Sequence, residues 1–233
     1  MCGRFLLRTF PEEFTRSLKV AVDERLDPAS QPRFNIAPSQ PIVIARPQTG
    51  TSDRDNTGDA RQLHPVIWGL IPHWMKERPS RGGFINARAE TVFEKPSFRA
   101  AARYRRCLIP ADGFYEWRTT ASGKTPYLFE RPDSAPFCFA GIWDHWTAPD
   151  GSEIDTAAVL TTGPNAVTQD IHDRMPVILP PEAWDTWTHA PAEEAAKLKR
   201  LLRPAADDVL TSRPVSRLVN NVRNDGPELL LGD

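Results

Sequence analysis

The chain is dominated by short apolar runs, rich in β-branched and aromatic residues, that follow one another closely. Runs of this length and composition predict strands, and strands adjacent in sequence usually pair side by side. The 23 prolines favour strand edges and fixed loops over long regular elements. We therefore predict an α+β domain around a mostly antiparallel, barrel-like β-sheet with flanking helices. The predicted strands are PIVIA (41–45), VIWGL (66–70), CLIP (107–110), GFYEWR (113–118), PYLFE (126–130), FCFAGIW (137–143) and AAVLTT (157–162).

Helix-forming residues are concentrated in fewer segments. The predicted helices are PEEFTRSLKV (11–20), ARAETVF (87–93), PSFRAAARY (96–104), EAWDTW (182–187) and AEEAAKLKRLLR (192–203). Between two predicted strands, residues 46–65 are polar, rich in Gly, Thr and Asp, and without periodicity, which predicts a flexible hairpin loop. A length of 233 residues suits one domain, 1–233, that contains this loop.

Composition excludes several classes of function. The net charge of −1 predicts neither a nucleic-acid binder nor a membrane binder from global charge alone. The three cysteines form no CxxC pair, which suits a reducing compartment, and the five histidines lack metal-ligand spacing. No apolar run is long enough for a signal peptide or a membrane span. We expect a cytoplasmic monomer without metal, cofactor or disulfide.

Cys2 becomes the N-terminal residue if Met1 is removed. Its α-amine (pKa about 7.7–8.0) and its thiol (pKa about 8.5) would both be partly nucleophilic at neutral pH. The amine can condense with an aldehyde to an imine, and the thiol can then close a five-membered thiazolidine ring. A cysteine elsewhere in a chain cannot close this ring. On the dipeptide alone, the simpler interpretation is favoured, that residue 2 is a small residue compatible with Met1 removal.

Glu116 lies between Tyr115 and Trp117 in the predicted strand GFYEWR. Alternation along a strand places the two aromatic residues on the face opposite the carboxyl group. A carboxyl group inside a core or a cleft has a raised pKa, which suits a general acid or base. The run alone favours the alternative, an ordinary carboxylate on the solvated face of the strand.

Two further segments carry polar residues beside predicted strands. His172 and Arg174 lie in IHDRMPVIL, where His172 could exchange protons near neutral pH or serve as a structural hydrogen-bonding group. Asn86 lies at a predicted strand-to-helix boundary in GGFINARAET, where asparagine commonly caps a helix. Arg88 follows within the first turn. A capping role for Asn86 does not exclude a contact with a substrate.

Tryptophans at 68, 74 and 117 are interleaved with arginines along the chain. Exposed aromatic rings stack on bases and arginines bind phosphates, so this pattern is compatible with single-stranded nucleic acid. Trp68 and Trp117 are the candidate contacts. Most tryptophans in a chain of this kind belong to the core, and the pattern alone favours that interpretation.

Seven sequence stretches identify a family. They are MCGR, RFNIAPSQ, WGLIPHW, INARAET, RRCLIPADGFYEW, IHDRMPVIL and VSRLVNNVRND. Their order, over residues 2 to about 225, resembles that of the SOS-response-associated peptidase (SRAP) family, whose members shield abasic sites in single-stranded DNA. The motifs are long, so the resemblance is specific. The 46–65 loop is the departure from the pattern, because it looks longer than the family needs.

The resemblance implies strands curled around a channel that holds single-stranded DNA, with Cys2 at its base. It also implies that Met1 is removed, and the family name makes the protein itself a candidate for that cleavage. Cys2 would then form a thiazolidine with the ring-opened aldehyde of an abasic site, with self-reversal as a further option. By the same resemblance, the remaining active-site residues are Asn86, Glu116 and His172, and the phosphate-contacting residues are Arg4, Arg88 and Arg174.

These roles agree with the chemistry of the residues. An abasic sugar is mostly a closed hemiacetal, so a proton must move before its aldehyde is exposed. Glu116 can transfer that proton and protonate the departing ring oxygen, with assistance from His172. Asn86 can hydrogen-bond the α-amine or the sugar.

Two alternatives remain open. The first is a Cys-dependent hydrolase in which Cys2, His172 and Asn86 form a thiolate system, which would leave Glu116 without a role. The second is a non-covalent single-stranded-DNA-binding module in which Cys2 does not matter.

Overall fold

The computed structural model describes residues 2–9, 20–21, 31–47, 61–80, 82–121 and 123–232. These residues form two β-sheets, and short helices pack against strands of the larger sheet. In chain order the strands are β1 (Phe5–Leu7), β2 (Val20–Ala21), β3 (Arg33–Ile36), β4 (Pro41–Pro47), β5 (Arg61–Trp68), β6 (Asn86–Arg88), β7 (Arg106–Ala111), β8 (Gly113–Thr120), β9 (Gly123–Glu130), β10 (Phe137–Thr147), β11 (Glu153–Thr162), β12 (Met175–Pro176), β13 (Ile178–Leu179) and β14 (Thr211–Pro214). The helices are α1 (Arg99–Tyr104), α2 (Trp184–His189) and α3 (Ala195–Lys199).

The larger sheet closes on itself. Its strands pair in the order β11, β10, β7, β4 and β5, and β5 then pairs with β11 again. A ring of five strands cannot alternate in direction all the way round, so at least one pair must be parallel. That pair is β5 and β11, where Ile67 lies opposite Thr156 and Trp68 opposite Ala157. The prediction of a mostly antiparallel, barrel-like sheet is confirmed.

The smaller sheet contains β1, the first strand of the chain. Its order is β14, β9, β8, β1 and β3, and all of its pairs are antiparallel. Strand β1 is buried along its whole length and packs into the main core, where Phe5 meets the edge of Trp68 at 5.1 Å between ring centroids. Because β1 is buried, the residues just before it enter the interior of the molecule.

All seven predicted strands are present, and most are longer than predicted. Residues 46–47 and 61–65, which the sequence placed in a loop, continue the ladder between β4 and β5 as far as the pair Pro47 and Arg61. Residues 48–60 of that predicted loop lie outside the described residues.

Two of the predicted helices are longer than the observed ones: α1 lies within 96–104 and α3 within 192–203. Helix α2 has the predicted length but begins and ends two residues later than 182–187, and 3₁₀ turns precede α2 and α3. The helix predicted over 87–93 is wrong, because 86–88 form β6 against β11 and the residues after it form turns. Pairing with β11 outweighs helix propensity there. The helix predicted over 11–20 falls mostly outside the described residues. No helix in the described ranges is both long and apolar enough to cross a bilayer.

Candidate active site

Cys2 lies in the interior of the described structure, with no exposed surface. Its carbonyl oxygen accepts a hydrogen bond of 2.8 Å from the Asn86 side chain. Two residues later, the Arg4 carbonyl accepts from the Tyr115 backbone N–H at 2.9 Å, which extends the pairing of β1 with β8. Burial raises the pKa of the Cys2 thiol, and the negative charge of Glu116 raises it further. The sulfur is therefore a neutral thiol at physiological pH.

Asn86 is held in place by β6, which runs parallel to β11 with Asn86 opposite Val159. Its side chain does not cap a helix, as its local sequence suggested, but reaches back to the chain start. The Asn86 Oδ1 atom is buried and has no hydrogen-bond partner among the described residues. A buried amide oxygen left without a donor costs about 1–3 kcal/mol, so this atom is a ready acceptor for an N–H placed beside Cys2.

Glu116 is 5% exposed, so the alternative of a solvated surface carboxylate is wrong. Burial raises the pKa of its carboxyl group, and the nearby His172 offsets part of that shift. Its Oε2 atom lies 4.0 Å from Nε2 of His172. The adjacent Tyr115 packs in a separate small core cluster, as strand alternation predicts.

The His172 ring is oriented by its own loop. The backbone N–H of Arg174 donates to Nδ1 of His172 at 3.0 Å. An amide N–H can only donate, so Nδ1 accepts and the proton of the neutral ring resides on Nε2, the atom nearest Glu116. The largely exposed Asp173 carboxylate also lies 3.0 Å from Nδ1. Glu116 and His172 therefore form a pair of groups that can exchange protons.

A surface groove of about 450 Å³ opens over this pair. Its lining residues are Glu116, Trp117, Lys124, His172 and Asn220. The Trp117 indole N–H donates to Asn220 Oδ1 at 2.7 Å, which fixes the ring at the groove wall. Lys124 and Asn220 were missed by the sequence reasoning. Asn220 lies in the VSRLVNNVRND motif, which could have indicated it, whereas no sequence pattern singles out Lys124.

The three candidate arginines lie in different environments. Arg4 donates inward, to Asn35 Oδ1 at 2.6 Å and to the Val219 carbonyl at 2.7 Å, and its guanidinium lies 5.7 Å from the centroid of the Trp117 ring. Arg174 is bound by other side-chain and backbone groups of the protein. The Arg88 side chain is exposed on β6. Of the three, Arg88 alone has an exposed side chain.

Trp68 is fully buried and its indole N–H donates to the Ile85 carbonyl at 2.9 Å. Its ring packs against Phe5 in the core. The prediction that Trp68 contacts DNA is therefore wrong for this conformation, because no face of the ring reaches the surface. Trp117 lines the groove, so its contact with DNA stays a prediction.

The whole described chain matches a known family. Residues 1–222 match the family described as SOS response associated peptidase (SRAP). The chain belongs to the SRAP family. It is 39% identical over 232 residues to the abasic site processing protein YoqW of Bacillus subtilis, with 99% of both chains covered. It is 31% identical to the abasic site processing protein YedK of Escherichia coli, again with 99% of both covered.

A further relative and two solved structures also match the chain. The abasic site processing protein HMCES of Gallus gallus is 34% identical over 230 residues, which cover 86% of this SRAP chain and 66% of HMCES. A crystal structure of a protein from Bacteroides thetaiotaomicron superposes with a TM-score of 0.84 at 26% identity, and all of both chains is covered. A second, from Bordetella bronchiseptica, has a TM-score of 0.74 at 26% identity, with 92% of this chain and 100% of the other covered.

One buried side chain of this SRAP protein explains why two distant motifs occur together. Asn35 of RFNIAPSQ is fully buried, and its Nδ2 donates to three backbone carbonyls of the VSRLVNNVRND segment. In return, Asp225 Oδ1 accepts from the backbone N–H groups of Phe34 and Asn35. The sequence reasoning missed Asn35. Its role is to hold residues 219–225 beside the groove.

Proposed function

We propose that this protein processes abasic sites in single-stranded DNA, and that Cys2, once Met1 has been removed, forms a covalent thiazolidine with the exposed aldehyde. Family membership and the names of the relatives support a role at abasic sites. The observation that carries the chemical proposal is the buried Glu116 carboxyl group, which faces His172 in a groove and acts electrostatically on the Cys2 thiol.

The first step opens the sugar. As the ring C–O bond breaks, the ring oxygen takes the proton of the Glu116 carboxyl group and the hemiacetal hydroxyl gives its proton to a solvent water molecule. Solvent then returns a proton to the Glu116 carboxylate, so atoms and charges balance. A carboxyl group with a raised pKa keeps its proton to a higher pH than an ordinary carboxyl group does, and it is therefore suited to donate this proton. The neutral His172 ring carries its proton on Nε2, 4.0 Å from the carboxyl oxygen, and can donate a hydrogen bond to the sugar oxygen that Glu116 protonates.

The second step forms two bonds to the aldehyde carbon. The Cys2 amine adds to that carbon and water leaves, which gives an imine. The Cys2 sulfur then adds to the imine carbon while its proton passes to the nitrogen, which closes the ring. This closure is neutral overall, so a thiol with a raised pKa is no obstacle as long as a neighbouring group relays the proton.

Asn86 has a role in aiming the attack. Its Nδ2 holds the Cys2 carbonyl, and its buried Oδ1 lacks a donor among the described residues. An N-terminal amine on Cys2 would supply such a donor. A hydrogen bond from the amine to Oδ1 would fix the lone pair of the nitrogen in one direction, which is how positioning lowers a barrier.

The DNA strand would lie along the groove. Arg88 and Lys124 have exposed side chains, and Trp117 offers a half-buried ring on which a base can stack. Arg4 supports Trp117 from behind and donates its own hydrogen bonds inward. Its proposed contribution is therefore to position the groove wall rather than to bind a phosphate through the N–H groups already used.

The Cys-dependent hydrolase fits the contacts less well. That mechanism needs a thiolate paired with an imidazole, whereas burial raises the pKa of the Cys2 thiol. It also needs Asn86 to orient His172, whereas the Asn86 amide donates to the Cys2 carbonyl. A non-covalent binding module would leave unexplained the buried Glu116 carboxyl group that faces His172.

Intact-mass spectrometry tests the proposal. The mature protein should lack the mass of Met1, and after incubation with a single-stranded oligonucleotide that contains one abasic site it should gain the mass of that oligonucleotide less one water. The same oligonucleotide without the abasic site is the control. Peptide cleavage without an adduct would support the hydrolase, and binding without an adduct would support the module. Either result would refute the covalent proposal.

A further inference from the structure

The guanidinium group of Arg174 is already occupied by a carboxylate of the same chain. Its two terminal nitrogens donate to the two oxygens of Glu90, at 2.6 and 3.0 Å. This fork-to-fork arrangement is the geometry in which arginine also binds a phosphate group. A DNA phosphate can therefore reach this face of Arg174 only by replacing Glu90.

The two partners are not equally anchored. The Arg174 side chain is 14% exposed, and one of its nitrogens also donates to the Thr161 carbonyl at 2.6 Å. The Glu90 side chain is 52% exposed and stands on the turn that follows β6. If the pair opens, Glu90 is thus the partner that can move into solvent, while Arg174 stays in place.

Glu90 also stands beside the other candidate phosphate ligand. The hydrogen bonds from Arg174 lower the pKa of the Glu90 carboxyl group, and the charge of Arg88 lowers it further. Glu90 is therefore a carboxylate at neutral pH. One negative charge lies between two arginines on the surface where the strand is proposed to pass.

We propose that Glu90 acts as an internal competitor that occupies the phosphate-binding fork of Arg174 and weakens the binding of undamaged single-stranded DNA. The inference rests on the proposed function and adds a specificity-determining residue to it. A strand without an abasic site gains nothing to offset the displacement of Glu90, and it dissociates readily. A strand with an abasic site is retained by the covalent bond to Cys2, so the competition affects it less.

The ion pair between Glu90 and Arg174 also helps to position active-site residues before DNA binds. Arg174 supplies the backbone N–H that orients the His172 ring, and its side chain fastens this segment to the turn after β6, the strand that carries Asn86. The contact thus keeps two segments of the active site in register while the groove is empty. When a phosphate replaces Glu90, the bond to Thr161 still anchors Arg174.

The test uses Glu90→Gln, which keeps the shape of the side chain and removes its charge. Glu94→Gln is the matched control, because Glu94 is similarly exposed (64%), lies one turn further along the same segment, and pairs with Lys199 instead. Affinity is measured by fluorescence anisotropy with a labelled oligothymidylate that contains no abasic site. We expect Glu90→Gln to bind about two- to fivefold tighter, the range for a surface ion pair, while Glu94→Gln binds like wild type.

The salt dependence adds a second readout. Without the competing carboxylate, the slope of log affinity against log salt should steepen by about 0.7, the value for one phosphate contact on a single strand. In the double variant Glu90→Gln/Arg174→Ala the gain in affinity should disappear, because the freed cation is absent. These three results together support the inference.

Distinct outcomes refute the inference and the proposed function. If wild type binds the oligothymidylate but Glu90→Gln binds no tighter, or Glu94→Gln gains as much, or the gain persists without Arg174, then Glu90 is not a competitor. The covalent chemistry would be untouched by any of these results. If neither wild type nor Glu90→Gln binds single-stranded DNA, the proposed function itself fails and this inference fails with it.

Discussion

Replacing Glu116 with glutamine keeps the shape of the side chain and removes the proton that the carboxyl group can exchange. A general acid or base typically contributes a factor of about 10²–10⁴ in rate. His172 Nε2 lies 4.0 Å from the carboxyl oxygen and can take over part of the proton transfer, so the lower end applies. We expect crosslinking to an abasic site to slow about 100-fold, which corresponds to about 2.7 kcal/mol in the barrier.

The assay is single-turnover crosslinking, read as the shifted band on a denaturing gel. A second substrate, an oligonucleotide with a linear aldehyde in place of the sugar, needs no ring opening. Glu116→Gln should react with it within a few-fold of the wild-type rate. Equal loss on both substrates would place Glu116 after ring opening, and wild-type rates on both would remove it from the mechanism.

The pH dependence of the crosslinking rate also tests whether Glu116 acts as the acid. Burial raises the Glu116 pKa, so its protonated fraction falls as the pH rises through that raised value. The ratio of the wild-type rate to the Glu116→Gln rate should fall over the same range, because the titration of the amine cancels in the ratio. The raised pKa of Glu116 also makes the stability of the protein depend on pH. Below the pKa that the carboxyl group has in the unfolded chain, its contribution to the free energy of unfolding is fully present. That contribution is lost as the pH rises through the higher pKa of the folded state. Glu116→Gln should therefore melt higher than wild type at neutral pH.

Four further substitutions separate chemistry, binding and packing. Cys2→Ala retains an amine but cannot close the ring, so we expect no heat-stable adduct by mass spectrometry unless a reductant is added; a stable adduct without reductant would exclude the thiazolidine. Arg88→Ala should weaken binding of single-stranded DNA and flatten its salt slope by about 0.7, and an unchanged slope would show that Arg88 does not contact a phosphate. Trp68→Ala should lower the free energy of unfolding by about 3–5 kcal/mol in urea titrations. Trp117→Ala should mainly weaken DNA binding, by about 1–3 kcal/mol. A loss of stability in Trp117→Ala together with a loss of DNA binding in Trp68→Ala would contradict the packing of the two rings.

The strands were predictable because their signal is local. Alternating or continuous apolar runs between prolines and glycines mark each strand, and pairing between sequence neighbours follows from short connections. The closure of the ring was not predictable in the same way. It joins Trp68 to Ala157, 89 positions apart, and no local pattern indicates which distant strand will complete a barrel.

The set of site residues was predictable from the resemblance of long motifs to those of the SRAP family. The contacts that these residues make were not predictable. Trp68 and Trp117 are both tryptophans in predicted strands, yet one is in the core and the other at the groove. Arg4 was expected on phosphates but its hydrogen bonds run to Asn35 and Val219. Such partners lie far away in the sequence, so only the folded chain brings them together.

Glu90 is the clearest case of a residue that the sequence hides. It is one acidic residue in INARAET, on a turn where an exposed carboxylate is ordinary. Its role depends on Arg174, which lies 84 positions further along the chain and whose guanidinium group donates hydrogen bonds to it. Charge counting along a segment cannot reveal a pair that forms between two segments.

The contact between Arg4 and Val219 spans 215 positions. During synthesis, Cys2 leaves the ribosome long before the residues that support its surroundings, because Asn220 and the carbonyls held by Asn35 are translated near the end of the described chain. An unfinished or truncated polypeptide therefore carries Cys2 without the groove beside it.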